Sequence, residues 1–170
     1  YVFDTRIENQ SLSAENNYME SQLLWFANKL LTDKSAHIAL AMHIYYYNYV
    51  DSYIQPLTSY VMQVASAYNR RTTFTYGSTT FDYSGATGRI EFVLVGHSHR
   101  DFNIVYEDGG DAIPVVATIN AGNATGNPSS YNGASVCVFD LVNVDYTNRI
   151  INLVRIGELG NDRTIPLDAN

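Results

Sequence analysis

The sequence predicts a single α/β domain, and three observations point to this fold class. The segment up to Met42 reads as strand, helix and strand, the order in which a helix-covered parallel sheet begins. Further along, short apolar runs bounded by turn residues have the length of buried strands. The 170 residues, 46% hydrophobic and 16% charged, are enough for one core and few for two. We therefore expect residues 1–170 to form one domain.

The first half of the chain predicts two helices set between strands. Tyr1–Asp4 reads as a strand, and apolar residues at helical spacing predict a helix over about Tyr18–Leu31. The apolar run Ala36–Met42 is typical of a strand buried on both faces. A second helix is expected near Leu57–Asn69, whereas Arg70–Gly88 has the composition of irregular structure.

The second half of the chain predicts mostly strands. Ile90–Val95 has the composition of another strand buried on both faces. Phe102–Tyr106 and Ile113–Ile119 flank an acidic, glycine-containing turn, which predicts a hairpin. Val136–Val142 and Ile150–Ile156 predict a second hairpin at the C-terminus.

Charge and cysteine content narrow the possible partners. Ten Lys and Arg against seventeen Asp and Glu give a formal charge of −7, which opposes binding to nucleic acid. No apolar run approaches the length of a membrane span, so neither nucleic acid nor a membrane is an expected partner. The single Cys137 cannot form an internal disulfide, and the sequence leaves the cellular compartment open.

Two histidines in one short motif mark the strongest candidate site. Gly96-His97-Ser98-His99 directly follows one predicted strand, and His43 follows another. Ligands of open α/β sheets gather at the carboxyl ends of strands, so we expect His43, His97 and His99 to project into one concavity there. The alternative is a set of hydrogen-bonded strand-end residues without a ligand, the interpretation we prefer for His37 at the start of its strand.

These motifs resemble the C-terminal half of the calcineurin-like metallophosphoesterases. In that family, Gln-Leu-x-Trp-Leu on a helix, a strand followed by His, and a strand followed by Gly-His-(Thr/Ser)-His occur in this order. The corresponding segments here are Gln22-Leu23-Leu24-Trp25-Phe26, Met42-His43 and Gly96-His97-Ser98-His99. The tail from Arg155 to Arg163 is also similar to an Arg-x-Gly-x-Gly-x-Asp-Arg ending of phage-associated and gut-bacterial members. The resemblance covers most of the chain.

The resemblance implies a fold, a reaction and a set of metal ligands. The fold would be the C-terminal half of an α/β/β/α sandwich, with a mixed sheet, helices on one face and hairpins at the C-terminus. The reaction would be hydrolysis of phosphate mono- or diesters by two divalent ions, Mn, Fe or Zn. His43 and His97 would bind one ion and His99 the other, and neutral imidazole suits such metals.

The chain lacks the carboxylate motifs of the family's N-terminal half. The family's Asp-x-His, Gly-Asp-x-x-Asp and Gly-Asn-His supply the bridging carboxylate and the catalytic acid. The nearest matches here are incomplete: Asp4-Thr5-Arg6, Gly110-Asp111-Ala112-Ile113-Pro114 and Gly122-Asn123-Ala124. We therefore expect the N-terminal half of the domain to be absent, at most one metal ion in this chain, and no useful hydrolysis by the chain alone. Sheet surface left bare by the missing half predicts a homo-oligomer.

Substrate contacts are predicted beside the histidines. We expect Tyr45 and Tyr46, which follow His43, to contact a small-molecule phosphate ester, the alternative being that they pack on the domain's own surface. Arg100 is a further substrate candidate, although Arg100-Asp101 reads equally well as a solvated turn. The rival to a phosphohydrolase is a non-catalytic phage or surface module, structural or carbohydrate-contacting, whose histidines are vestigial.

Overall fold

The computed structural model describes residues 1–3, 5, 12–45, 55–96, 101–118, 139–157 and 161–168. The helices and strands of these residues, in chain order, are β1 (Val2–Phe3), α1 (Leu12–Leu30), β2 (His37–Met42), α2 (Gln55–Asn69), β3 (Thr73–Tyr76), β4 (Thr79–Asp82), β5 (Arg89–Val95), β6 (Phe102–Asp108), β7 (Asp111–Ala117), β8 (Phe139–Asp145), β9 (Ile150–Ile156) and β10 (Arg163–Pro166). Neither α1 nor α2 is long and apolar enough to cross a membrane.

Five strands form a mixed sheet in the order β1-β2-β5-β7-β6. β1, β2, β5 and β7 run parallel, and β6 is antiparallel to β7. The pairs β1–β2 and β2–β5 can be parallel because α1 and α2 carry the chain back between their strands, as a parallel crossover requires. The predicted α/β class with a mixed sheet is confirmed. So is the β6–β7 hairpin, whose turn places Gly109 and Gly110 at positive φ values of 58° and 88°.

Both helices pack on one face of this sheet. Leu23 and Phe26 of α1 and Val61 of α2 are at most 1% exposed, and they share one buried cluster with Leu40 of β2 and Val93 of β5. Burying each such side chain stabilises the fold by about 1.5–3 kcal/mol. The interface between the helices and the sheet is therefore the main core.

A second sheet of order β10-β9-β8 covers part of the opposite face. Ile151 and Leu153 of β9 pack with Phe92 of β5 and Val116 of β7 in a separate buried cluster. The layers are thus helices, first sheet and second sheet, and β5 and β7 lie between the helices and the second sheet. The prediction that the strand ending at Val95 is buried on both faces is confirmed.

β2 is buried on only one face, so the prediction from its apolar sequence is wrong. Its inward side chains alternate with His37 and Ala39, which are exposed. Val116 and Val2 occupy the same row across the second face of the sheet, yet Val116 is fully buried and Val2 is 78% exposed. Burial on this face falls from β7 toward β1, because the second sheet packs on β5 and β7.

Residues 70–88 contain a hairpin where the composition predicts irregular structure. Phe74 of β3 and Phe81 of β4 are cross-strand partners, both buried, with stacked rings whose centroids are 6.2 Å apart. Gly77, at a φ of 59°, allows the tight turn between these strands. The alternation of Phe74 and Tyr76 with threonines is a strand pattern that the turn-like composition of the segment concealed.

Candidate functional site

The parallel strands of the first sheet end together at one edge. Phe3, Met42, Val95 and Ala117, the last residues of β1, β2, β5 and β7, are register partners in a single row. The residues that follow β2 and β5 therefore leave the sheet side by side. This edge, which we call the carboxyl edge, is where the sequence predicts the candidate site.

His43 and Gly96 meet directly at the carboxyl edge. The Gly96 amide donates a hydrogen bond of 3.0 Å to the His43 carbonyl oxygen. A Cβ atom added at Gly96 would lie 3.3 Å from Nδ1 of the His43 ring, which is closer than ordinary van der Waals contact. A glycine at this position therefore lets the start of the histidine motif approach the exposed His43 imidazole closely.

A threonine that the sequence analysis did not single out anchors the other side of His43. The Thr5 hydroxyl, buried beside the end of β1, accepts a hydrogen bond of 2.7 Å from the Ile44 amide. The backbone of the His43-Ile44 step is thus held from β1 by Thr5 and from β5 by Gly96. This double attachment fixes the position of His43 at the carboxyl edge.

Several predicted site residues lie outside the described part of the chain. His97, His99, Tyr46 and Arg100 are among them, so their predicted roles stay predictions. Tyr45 is described, is partly buried and packs against the main core. Among the described residues, no group of three or more His, Cys, Asp or Glu side chains could hold a metal ion.

Four charged side chains beside the carboxyl edge form what we call the Asp140 cluster, which consists of Asp101, Asp140, Arg155 and Arg163. The Arg155 guanidinium donates to Asp140 through Nε and, through Nη2, to both oxygens of Asp101 at 2.7 and 2.8 Å. Arg163 donates to Asp140 at 2.9 Å. Asp101 therefore belongs to an ion-pair network rather than to the simple solvated turn that Arg100-Asp101 suggested.

Burial and hydrogen bonding oppose each other at Asp140. Its side chain is 1% exposed, and burial alone would raise its pKa, but the hydrogen bonds from Arg155 and Arg163 outweigh burial and hold the pKa below its ordinary value. Asp140 is therefore ionised at neutral pH. Two carboxylates face two guanidinium groups, so the Asp140 cluster is balanced in charge and its arginines are not available as a free phosphate site.

His37 lies at the opposite end of β2, away from the carboxyl edge, as the sequence predicts. Its Nδ1 is 2.6 Å from the buried Glu91 carboxylate, and its ring stacks on Tyr146 with centroids 3.9 Å apart. Arg149 donates to the same carboxylate at 3.0 Å. Because Tyr146 and Arg149 lie in the turn between β8 and β9, this contact joins the second sheet to the first and supports a structural role for His37.

Comparison with known proteins identifies no family for this chain. No protein-family model matches it, and no curated protein matches it either. The resemblance to metallophosphoesterases therefore rests on the motifs in the sequence.

Proposed function

We propose that this chain is the C-terminal portion of a binuclear metal-dependent phosphoesterase that hydrolyses phosphate mono- or diesters. The main support is the contact between His43 and Gly96, because it brings one predicted ligand and the start of the histidine motif to one point of the carboxyl edge. Ligands of open α/β sheets bind at such an edge. In this proposal His43 and His97 ligate one ion and His99 ligates the other.

Of the three predicted metal ligands, the structure describes only His43. The His43 side chain is exposed at the carboxyl edge, where an ion can reach it. Asp101 and Asp140 lie farther along the same edge, beside β6 and β7, and both are engaged by arginines, so they are poorly placed to bridge two ions. Paired ions, when bound, polarise the phosphoryl group and activate a water molecule. The carboxylates that such a pair needs would come from outside these 170 residues, which leaves at most one ion for this chain.

Exposed apolar side chains on the second sheet support the proposal that another part of the domain covers this sheet. On the outer face of the second sheet, Phe139 pairs with Ile156 and Leu141 pairs with Val154, and these four side chains are 38–59% exposed. Contiguous apolar surface of this kind marks interaction sites. We propose that the N-terminal half of the same domain covers this patch, and we keep the homo-oligomer as the expected state of the chain alone.

The test of the proposed function measures Zn²⁺ binding and hydrolysis by the whole chain. Isothermal titration calorimetry is expected to show at most one Zn²⁺ per chain, bound about a hundredfold more weakly by His97→Ala, because losing a direct ligand costs at least as much as losing an outer-shell partner. We expect no turnover of p-nitrophenyl phosphate or bis-p-nitrophenyl phosphate with added Mn²⁺ or Zn²⁺, since the sequence lacks the family's motifs for a bridging carboxylate.

Two outcomes would contradict this proposal in different ways. Metal-dependent turnover that His97→Ala abolishes would show that the chain, or its oligomer, completes the site by itself. Zn²⁺ affinity that is the same in His97→Ala and in the original chain would favour the non-catalytic module with vestigial histidines.

A second prediction tests the close approach of Gly96 to His43. In Gly96→Ala the new methyl group would displace the His43 ring by a few tenths of an ångström, and we expect Zn²⁺ affinity to fall about tenfold, as for other changes that misorient a ligand. The backbone of Gly96 is outside the left-handed region, so the fold should tolerate alanine. Calorimetry and thermal melting would measure the two effects.

Gly85→Ala is the matched control for Gly96→Ala. Nothing lies within 4 Å of a Cβ added at Gly85, and its φ is also outside the left-handed region. Zn²⁺ affinity equal in the two variants would show that Gly96 does not position His43 for metal.

A further inference from the structure

β6 forms an open edge of the first sheet. The sheet order places β6 outermost, and no other described strand pairs with its free side. Its seven residues, Phe102–Asp108, pair with β7 without a register shift, so the edge is long and regular. β6 contains neither Lys nor Pro, which often protect such an edge from a second strand, whereas the opposite edge, β1, has only two residues. β6 is therefore the edge of this sheet that is best able to accept another strand.

The turn after β6 determines which backbone groups of this strand face outward. Gly109 and Gly110 form a two-residue turn, and the flanking residues Asp108 and Asp111 are register partners. Residues that flank a two-residue turn exchange backbone hydrogen bonds, and such pairs occur at every second position of an antiparallel ladder. The residues between these positions direct their amide and carbonyl groups away from β7: Asn103, Val105 and Glu107.

Both layers that cover the first sheet end at β6. On the face toward the second sheet, Asn103 and Glu107 are exposed and Val105 is 40% exposed. On the helical face, Phe102 and Tyr106 pack against the main core but stay partly exposed. A layer that extended past β6 would bury these side chains. Neither the described helices nor the second sheet therefore blocks the approach of a second molecule to this edge.

β8 is the other long outer strand, but the first sheet obstructs its free side. It has seven residues, and Tyr146, directly after it, stacks on His37 of β2. β2 therefore lies beneath this edge of the second sheet, and β1 lies one strand farther out, where Val2 is 78% exposed. A second copy of the domain that approached β8 would collide with β1 and β2.

We propose that a second copy of this chain pairs its own β6 with β6, antiparallel and around a twofold axis at Val105. A twofold contact is self-complementary, so the strand must match its own reverse. Centring the pair on Val105 lets Phe102–Asp108 pair over its whole length. This register also places residues with outward backbone groups opposite one another, as an antiparallel ladder requires. The two first sheets would then join into one continuous sheet.

The side chains are complementary in this register. On the face toward the second sheet, Val105 would lie opposite its own copy, and Asn103 would lie opposite Glu107, where the amide can donate to the carboxylate. On the helical face, Ile104 would lie opposite Tyr106, a pair of β-branched and aromatic side chains that stabilises sheets. No β6 side chain faces one of the same charge. This surface is distinct from the apolar patch on β8 and β9.

Sedimentation equilibrium of the whole chain tests this contact, in about 0.15 M salt to screen the charge of −7 on each chain. The chain is expected to be a dimer. Val105→Lys puts two ammonium groups opposite each other at the axis and should weaken dimerisation about a hundredfold. Val105→Glu should have the same effect, since it opposes two carboxylates. An equimolar mixture of the two variants should dimerise again, because Lys then lies opposite Glu.

Val154→Lys is the matched control for Val105→Lys. Val154 is a valine of similar exposure, 38%, in the apolar patch of the second sheet, and we expect Val154→Lys to remain a dimer. Circular dichroism checks that each variant is folded.

Three results would overturn this inference. The original chain could be a monomer at every concentration, or the mixture of Val105→Lys and Val105→Glu could stay monomeric. Alternatively, Val154→Lys could be monomeric while Val105→Lys is a dimer, which would place association on the second sheet. None of these results involves a metal ligand, so they do not decide the proposed hydrolytic function.

Discussion

Replacing Arg155 with methionine is expected to lower the free energy of unfolding by about 3–5 kcal/mol, the cost of removing one partner from a buried ion pair. Methionine keeps most of the volume of the side chain but removes the donors to Asp140 and Asp101. Asp140 would then be buried with Arg163 as its remaining partner within the cluster. Urea unfolding followed by circular dichroism measures the loss.

Two variants make this prediction about Arg155 specific. Arg70→Met removes a cation from the pair with Asp108, in which both side chains are about one-third exposed, and should cost less than about 1 kcal/mol. The double variant Arg155→Met with Asp140→Leu also removes the carboxylate that Arg155 contacts, leaves Arg163 beside Asp101 at 3.4 Å, and should recover most of the lost stability. If Arg155→Met costs no more than Arg70→Met, the Asp140 cluster contributes no more to stability than an exposed ion pair does.

The pKa of Asp140 determines how the loss of stability in Arg155→Met depends on pH. Burial would raise that pKa, but hydrogen bonds from Arg155 and Arg163 lower it below the value of about 3.9 expected in the unfolded chain. A carboxyl group whose pKa is lowered by folding stabilises the fold above the unfolded pKa, and this stability is lost as the pH falls through the folded pKa. The difference in free energy of unfolding between the original chain and Arg155→Met should therefore become smaller below about pH 4.

The sheet and its carboxyl edge could be predicted from the sequence because each depends on a local pattern. Apolar runs of strand length identified β5 and most of β7, and parallel connectivity placed His43 beside the residue after Val95. The burial of β2 could not be predicted in this way. Whether Ala39 faces a second layer depends on how far the second sheet extends, which is a property of the whole fold.

The Asp140 cluster was missed because its members are far apart in the sequence. A signal was nevertheless present in the hairpin: Asp140 alternates in phase with Val142, and Arg155 alternates in phase with Ile151 and Leu153. Opposite charges at inward positions of paired strands predict a buried ion pair, and Asp140 and Arg155 are indeed register partners. That Asp101 joins them could not be predicted, since it depends on how the two sheets pack.

Gly88→Ala is expected to have the second largest effect, a loss of about 3 kcal/mol of stability, at the upper end of the cost of overpacking. A Cβ atom at Gly88 would lie 1.9 Å from the carbonyl oxygen of Ser35. No side-chain rotation can relieve this overlap, because both atoms are fixed to the backbone. The chain before β5 would have to move away from the chain before β2.

The same overlap links Gly88 to the candidate site. The Arg89 amide donates to the Ala36 carbonyl at 3.0 Å, directly after the point of closest approach. From there the paired strands β2 and β5 run, past a register irregularity between Ile38 and Ala39, to Met42 and Val95, and we expect a shift at Gly88 to reach His43 and Gly96 through this pairing. We expect Gly88→Ala to be less stable in urea and, in the folded fraction, to bind Zn²⁺ more weakly. Gly85 lies three residues away, and a Cβ atom added there would have no neighbour within 4 Å, so Gly85→Ala should change neither property. If the two variants are equally stable, the close approach of Gly88 to Ser35 does not constrain the pairing of β2 and β5.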